Sequence, residues 1–533
     1  MEIASIKGDT VLLLYHPADT AADVGQQFSV LEVPERTEGL VVQVISNDSL
    51  EYMGLQQEMI QHILEQRVTL QRPLDREQGM GEIKSLKLAT AKIRKRITDG
   101  QWCNWDGWIP TRNVDVTLTD AATLLGNVMP EPHHPLHSFA TFEGTPFQLD
   151  GPRLNMVNVV TGIKGSGKSH LAKHLVLALA ERQVPCVIFD INGEYVGLPN
   201  AQVLQWGQNF LPRLADVGHE MLETMVRSLC PLAPGSPSES TFEARLPGFF
   251  TARRQYCERQ HQPFTIDIAH LRQQSWASGN SGTFVQDAIE SRLNTIENMR
   301  LFWSSTTPGG SQLSLAERYD NACQGQPIVF DMRGLGASRQ RALVRSVNES
   351  LEDICNAESR PTGNPSHLPI PAMNRYPFVF FEEAHFYVSD ETIINIITRG
   401  RHIGMGSVFV TNTPQKLPDT VFRQLDNLFL LSLTHKDDIR NVSKSSFTDE
   451  ATIESFATRM PERHALIVGN VTDRYPLVVK VEDLPEGVPR SGRTRSTWDR
   501  FNTQSTVIPQ SEEDFFSEYT GDFEVLEDPF ADN

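Results

Sequence analysis

The spacing of apolar and polar residues divides the chain into two parts with different periodicities. Near the N-terminus, short β-branched runs alternate with turn residues at positions 9–15, 27–33, 39–45 and 108–118. Several short strands at this spacing are typical of a small barrel or sandwich. A helix is also expected at residues 56–67.

From about residue 139 the pattern changes to alternating strands and helices, which predicts an α/β fold. An apolar strand at 156–160, a helix at 168–183 and a strand at 185–190 form a βαβ unit. Residues 206–324 interrupt the alternation with helices at 220–229 and 285–302. Further strands are predicted at 327–331, 377–381, 407–410, 427–433, 465–468 and 477–481. The predicted domains are an N-terminal β-barrel (1–125), a core (126–205 and 325–500), a helical insertion (206–324) and an acidic tail (501–533).

The first βα connection carries the sequence Gly-Ile-Lys-Gly-Ser-Gly-Lys-Ser at residues 162–169. This spacing is the nucleotide phosphate loop. Its glycines allow successive backbone N–H groups to point at a phosphate, and the helix N-terminus adds partial positive charge. Lys168 brings a charge to the β- and γ-phosphates, and the Ser169 hydroxyl is placed for Mg²⁺. The chain is therefore predicted to bind a nucleoside triphosphate.

Two glutamates follow the apolar strand at 378–381. ATP hydrolysis needs one acid in the Mg²⁺ shell and another beside the attacking water, so we assign Glu382 to the metal and Glu383 to the water. Asn412 ends the next strand, where it can sense the γ-phosphate. Asp190 and Glu194 follow the strand beside the phosphate loop and can reach the metal or its waters, although a turn also explains part of that signal.

Arg399 and Arg401 precede the strand at 407–410. Multimeric ATPases commonly place an arginine of one subunit on the γ-phosphate of its neighbour. From the residues alone, either arginine fits this role.

Charge and composition narrow the partners only partly. The formal net charge is −19, and residues 501–533 contribute nine acidic and no basic residues, with five aromatic residues after residue 510. Such tails are usually disordered, although the aromatic residues also fit a docking segment. Residues 84–96 carry six basic and no acidic side chains, which form either a surface for phosphates or an acidic partner, or one solvated face of an element.

Six scattered cysteines without a C-x-x-C pair indicate reduced thiols in a cytoplasmic protein. No apolar run reaches the length that spans a bilayer, and no signal peptide is recognisable, so no membrane partner is expected.

Together these motifs resemble the HerA branch of the HerA/FtsK superfamily. The phosphate loop corresponds to Walker A, and Asp-x-x-Gly-Glu-Tyr at 190–195 is shared with the family. Glu-Glu-Ala-His at 382–385 stands where the family has D-E-A-H, and Gly-Arg-His-x-Gly at 400–404 where it has G-R-K-x-G. The resemblance implies a RecA-like P-loop ATPase core with an N-terminal small β-barrel and a helical insertion. It also favours Arg401 over Arg399 as the arginine finger.

Three residues depart from the family pattern: Glu382 replaces Asp, His402 replaces Lys, and Asn412 replaces Gln. None removes a required chemical group, but the longer Glu382 side chain changes the metal geometry, and turnover is expected to be slow. The residues expected to bind ATP and Mg²⁺ are Gly162, Gly165, Ser166, Gly167, Lys168, Ser169, His170, Asp190, Glu194, Glu382 and Asn412. The residues expected to be catalytic are Lys168, Glu383 and Arg401.

The resemblance implies a homohexameric ring that moves double-stranded DNA with ATP. Family members work beside a nuclease in DNA-end processing, and some bacterial members act with a nuclease or a sirtuin-like effector in defence against phage. The alternative expectation is an ATP-binding ring that mainly scaffolds and activates such an effector. The negative net charge and acidic tail favour this alternative, whereas the lysine, paired acids and arginine favour a motor.

Overall fold

The fold was determined from a computed structural model. The structure describes residues 1–16, 22–33, 36–49, 87–111, 113–129, 131–142, 144–154, 156–206, 208–262, 264–276, 282–299, 301–302, 315–359, 376–388, 397, 404–444 and 447–489. The predicted helix at 56–67 and the acidic tail lie outside these residues.

The N-terminal part is a seven-stranded antiparallel sheet around a small apolar core. Its strands are β1 Glu2–Lys7, β2 Thr10–Tyr15, β3 Gln27–Glu32, β4 Gly39–Ser49, β5 Lys87–Thr98, β6 Gln101–Asn104 and β7 Val114–Leu118. The order is β1-β2-β5-β4-β3-β7, and β6 pairs with β5. Alternating side chains face the core, as expected for half-buried strands. No pairing joins β1 to β7 within the described residues, so a closed barrel stays a prediction.

The second sheet has eleven strands and contains the phosphate loop. They are β8 Pro135–Thr141, β9 Pro146–Asp150, β10 Val157–Thr161, β11 Cys186–Asp190, β12 Gln202–Gln205, β13 Ile328–Asp331, β14 Phe378–Phe381, β15 Gly406–Thr411, β16 Asn427–Leu430, β17 His464–Gly469 and β18 Leu477–Val481. The order is β12-β13-β11-β14-β15-β10-β16-β17-β18-β8-β9. The strands from β12 to β16 in this order are parallel. Those from β13 to β16 are completely buried, as their largely apolar sequences require, whereas the edge strand β12 is mostly half-buried.

The predicted strands of this sheet are present, and their ends differ from the predicted ones by at most three residues. Three strands were not predicted, namely β8, β9 and β12. Their polar residues and flanking prolines mask the strand pattern. They extend one edge of the sheet with an antiparallel hairpin and the other with a short parallel strand.

Helices pack on the sheet and fill the segment between β12 and β13. The helices are α1 Ala121–Val128, α2 Lys168–Glu181, α3 Leu214–Leu229, α4 Pro237–Arg259, α5 Ile268–Arg272, α6 Gly282–Asn298, α7 Leu315–Ala322, α8 Ala337–Ser359, α9 Asp419–Arg423, α10 Lys436–Ser443 and α11 Glu450–Arg459. The segment from α3 to α7 is helical, as predicted, and shares one apolar core with the sheet. None of the helices in the described ranges has the length and apolarity needed to cross a membrane.

The predicted basic run lies on β5, and its described members pair mostly within the chain. Arg94 donates to Thr452 on α11 at 2.9 Å and lies 3.6 Å from Asp449, which caps that helix. Lys92 pairs with Asp9 at 2.8 Å, and Lys95 donates to Asp473 at 3.0 Å. Four basic side chains, including Arg96, therefore contact acids of the same chain, which neither sequence interpretation anticipated.

Candidate nucleotide-binding site

The phosphate loop connects the central strand β10 to α2 at the carboxyl edge of the parallel strands. A Cβ on Gly162 would lie 2.8 Å from both the Leu431 Cβ and the Ser166 Oγ, so only glycine fits there. Gly167 has φ +107° directly before the helix, a conformation that side chains disfavour. The tight loop therefore requires glycine at both positions, as the phosphate-loop motif predicts.

Lys168 is the first residue of α2, and its side chain turns back into the loop. Its Nζ donates to the Ile163 carbonyl at 3.0 Å, and the residue is 6% exposed. Burial lowers the pKa of the Lys168 ammonium, while the negative charges of Glu383 and Glu382 oppose that shift. The lysine thus lies between the loop and the two acids, as a phosphate ligand requires.

Ser169 and Glu382 meet although they are 213 residues apart in sequence. The Ser169 hydroxyl donates to Glu382 Oε1 at 3.2 Å, and the Tyr195 hydroxyl donates to Oε2 at 2.6 Å. Burial raises the pKa of Glu382 to about 8, and the Tyr195 hydrogen bond opposes the shift. The two residues predicted to bind the metal are therefore brought together by the fold.

Glu383 follows with a left-handed backbone, φ +48° and ψ +46°, which turns its side chain away from that of Glu382. Its Oε1 accepts from Asn412 Nδ2 at 3.3 Å. Its Oε2 is buried without a hydrogen-bond partner, 3.5 Å from His385 Nδ1, which bonds to Thr411 instead. Burial raises the pKa of Glu383, and the Lys168 charge opposes this shift. A strained residue with a free buried carboxylate oxygen is the arrangement expected of a water-binding acid.

Asp190 organises the turn after β11. Its Oδ1 accepts from the N–H groups of Gly193 and Glu194 at 2.8 and 3.1 Å, and its Oδ2 accepts from the Tyr195 N–H at 2.8 Å. Both carboxylate oxygens are thus used locally, and this turn carries Tyr195 to Glu382. Glu194 Oε2 is buried without a hydrogen-bond partner, so Glu194 is the free acid of this turn.

The His170 side chain makes a contact that the motif did not predict. Its Nε2 and that of His174 both lie 2.7 Å from the Glu482 carbonyl. Lys173, on the same helix and 1% exposed, donates to the Pro489 carbonyl at 2.7 Å. The side chain of His170 therefore contacts the segment after β18, and its role in nucleotide binding stays a prediction.

The remaining predicted residues divide into two groups. Ser166 is buried in the loop and its hydroxyl donates to the Ile163 carbonyl at 2.8 Å. Arg399, Arg401 and His402 lie outside the described residues, so their roles stay predictions. Arg463 belongs to no recognised motif, yet its N–H donates to the Ser166 carbonyl at 3.3 Å and so contacts the phosphate loop.

The oxygen groups present at this edge fit Mg²⁺ and a triphosphate. No cluster of three His, Cys, Asp or Glu side chains suited to a metal occurs in the described part of the chain. Mg²⁺ usually needs only one or two carboxylates, with waters and phosphate oxygens completing its octahedron. Ser169 and Glu382 offer that set, and the unpartnered oxygens of Glu194 and Glu383 lie among the same charges.

Comparisons with known proteins show sequence similarity to HerA helicases. Residues 138–348 match the family described as "Helicase HerA, central domain". Among curated proteins, the DNA double-strand break repair helicase HerA of Saccharolobus solfataricus is 22% identical over 335 residues, covering 61% of this chain. HerA of Sulfurisphaera tokodaii is 26% identical over 113 residues, covering 20% of this chain and 22% of the relative. The chain spans 63% of the length of the first relative.

Solved structures show weaker overall similarity. VirB4 of Thermoanaerobacter pseudethanolicus aligns with a TM-score of 0.48 and 14% identity, covering 67% of this chain and 99% of that chain. The plasmid coupling protein TrwB in complex with ADP and Mg²⁺ aligns with a TM-score of 0.41 and 13% identity, covering 70% and 94%. The matched segment contains the phosphate loop, and this part of the chain is similar to the central domain of HerA helicases.

Proposed function

We propose that this chain is an ATPase that translocates double-stranded DNA as a homohexamer and works with a nuclease or another effector. The observation that carries the proposal is the cluster of Lys168, Ser169, Glu382 and Glu383, in which one buried carboxylate oxygen of Glu383 has no hydrogen-bond partner. Buried unpartnered carboxylates are costly, so their retention favours a ligand that completes them.

Each residue has a specific role in hydrolysis. Lys168 and the loop N–H groups bind the β- and γ-phosphates. Ser169 and Glu382 would hold Mg²⁺, which would neutralise charge on the phosphate oxygens. Tyr195 orients the Glu382 carboxylate through its 2.6 Å hydrogen bond. Glu383 orients the attacking water and accepts its proton, while the Asn412 amide holds the other oxygen of Glu383.

A cation supplied by a neighbouring subunit can stabilise the charge that develops on the γ-phosphate during hydrolysis. We assign this role to Arg401 of a neighbouring subunit, with Arg399 as second choice. Arg401→Ala should leave ATP affinity largely intact and lower hydrolysis in the assembled ring by roughly 10³-fold. A normal hydrolysis rate would exclude Arg401 as the finger, and Arg399→Ala is the matched comparison.

The DNA-motor proposal is tested by ATPase rates with and without linear duplex DNA at low salt, where phosphate contacts are strongest. Stimulation by duplex DNA is expected. Absence of both stimulation and binding would exclude translocation while leaving ATP hydrolysis intact. DNA-end processing and anti-phage defence are the settings we propose, and loss of phage resistance on deletion of the gene distinguishes the second.

A second candidate is an ATP-binding ring that scaffolds an effector. It is favoured by the net charge of −19 and by the pairing of the β5 basic residues with acids of the same chain, which leaves them unavailable to DNA. In this case a hydrolysis-deficient ring that still binds ATP would activate the effector as well as wild type. In the motor case it would not.

A further inference from the structure

The orientation of a bound triphosphate follows from the position of the acids. Strand β10 lies between β15 and β16, and the phosphate loop follows β10. Glu382 and Glu383 follow β14, and Asn412 follows β15, so the γ-phosphate chemistry lies on that side of the loop. The nucleoside is at the other end of the triphosphate from the γ-phosphate, and the opposite side of the loop, beside β16, β17 and β18, does not carry these acids.

Arg463 lies on this opposite side, immediately before β17. Its N–H donates to the Ser166 carbonyl at 3.3 Å, and its Cα would lie 3.6 Å from a Cβ on Gly167. The Val481 N–H donates to the Arg463 carbonyl at 2.9 Å, so both backbone polar groups of Arg463 are hydrogen-bonded. Arg463 is thus attached to the phosphate loop although it is remote from it in sequence.

The backbone of Arg463 has φ +61°, a left-handed conformation in a residue that is not glycine. Such conformations cost free energy and persist only where the surroundings enforce them, often at functional sites. Glycine adopts this conformation without strain, so Arg463→Gly removes the side chain without disturbing the backbone.

The side chain of Arg463 projects beside the first turn of α2. Its Nη1 lies 2.5 Å from Asp483 Oδ1, and the side chain is 34% exposed. Asp483 follows Glu482, whose carbonyl lies 2.7 Å from the Nε2 atoms of His170 and His174 on α2. The guanidinium is therefore oriented by an acid and still accessible to a ligand.

We propose that Arg463 binds the nucleoside end of the triphosphate, with Asp483 as the residue that positions it. A planar guanidinium suits the face of an aromatic base through stacking and cation–π attraction. The proposal rests on the ATP site described above and adds a contact to the base that neither the phosphate-loop motif nor the acid pair supplies.

The experiment compares the affinity of the full-length protein for ATP and for inorganic tripolyphosphate, which lacks the nucleoside. Arg463→Ala should weaken ATP binding by roughly three- to thirtyfold and leave tripolyphosphate binding unchanged. In steady-state assays the loss should fall on KM more than on kcat. Arg463→Gly, which removes the side chain and relieves the backbone strain, should show the same selective loss, and Asp483→Asn a smaller one.

Arg459→Ala serves as the matched control, since Arg459 is an exposed arginine at the end of α11. It should change neither affinity. Equal loss of ATP and tripolyphosphate binding in Arg463→Ala and Arg463→Gly would assign Arg463 to the phosphates and overturn the proposal, as would unchanged ATP binding. Wild-type protein that binds neither probe would refute the ATP site itself, which is a distinguishable failure.

Discussion

The phosphate-loop edge and strand β5 are both rich in charged residues and both largely buried. They differ in whether those charged groups have partners within the chain. On β5, Lys92 pairs with Asp9 at 2.8 Å and Lys95 with Asp473 at 3.0 Å. At the phosphate loop, one carboxylate oxygen of Glu194 and one of Glu383 have no hydrogen-bond partner.

The difference indicates two roles for charged side chains. Those on β5 stabilise the fold, whereas the unpartnered carboxylates at the phosphate loop are available to bind a ligand. A buried charge with protein partners is compensated within the chain. A buried carboxylate oxygen without one carries a free-energy cost that a cation or an ordered water can remove. Both regions are rich in charged residues in the sequence. Only the hydrogen-bond and ion-pair partners seen in the structure distinguish the two.

Lys168→Ala should give the largest effect, since it removes the cation around which the phosphate-loop charges are arranged. We expect weaker ATP binding and a fall in turnover of roughly 10³- to 10⁵-fold, to background. Turnover is measured by phosphate release and binding by titration calorimetry. Lys480→Ala, at an exposed lysine on β18, is the control. Substantial turnover in Lys168→Ala would show that the loop does not bind the reacting phosphates.

Arg94→Ala tests the other side of the comparison. It should lower the free energy of unfolding by about 2–4 kcal/mol, since it removes the hydrogen bonds of the Arg94 guanidinium to Gln43 and Thr452 and its positive charge beside Asp449. Urea unfolding measures the effect.

The control is Asp106→Ala, which breaks the more exposed pair between Asp106 and Arg96. No measurable change in the urea midpoint is expected there. If Arg94→Ala were equally silent, β5 would be a free basic surface and a candidate for DNA contact.

Tyr195→Phe should have a smaller effect confined to the metal. Loss of the 2.6 Å hydrogen bond leaves the Glu382 carboxylate less well oriented, so half-maximal activity should need roughly tenfold more Mg²⁺. Tyr387→Phe is the matched control, because the Tyr387 hydroxyl donates to the Glu382 backbone carbonyl at 2.8 Å and not to its side chain. An equal Mg²⁺ requirement in both variants would refute a positioning role for Tyr195.

The same contrast explains which contacts of this protein can be predicted from its sequence. The phosphate loop is local, so the steric need for Gly162 and the place of Lys168 follow from eight consecutive residues. Ser169 and Glu382 could be paired in advance because both lie at carboxyl ends of predicted parallel strands.

The partners of β5 could not be predicted in this way. Arg94 and Thr452 are 358 residues apart, and no periodicity encodes how the N-terminal sheet meets α11. Arg463 escaped prediction for the same reason, since its contact with Ser166 arises only when β17 is placed two strands from β10. The occupied side chain of His170 depends on the segment after β18, which the motif does not include.

The most direct test of the account is ATP binding and ATP hydrolysis measured on the same preparation of Glu383→Gln. The substitution keeps the size of the side chain and its contact with Asn412 while removing the proton acceptor. Glu181→Gln, at an exposed glutamate ending α2, is the control. We predict ATP affinity close to wild type with hydrolysis lowered by roughly 10²- to 10⁴-fold. Unchanged hydrolysis, or binding lost in parallel with hydrolysis, would contradict the role of this carboxylate and with it the proposed site.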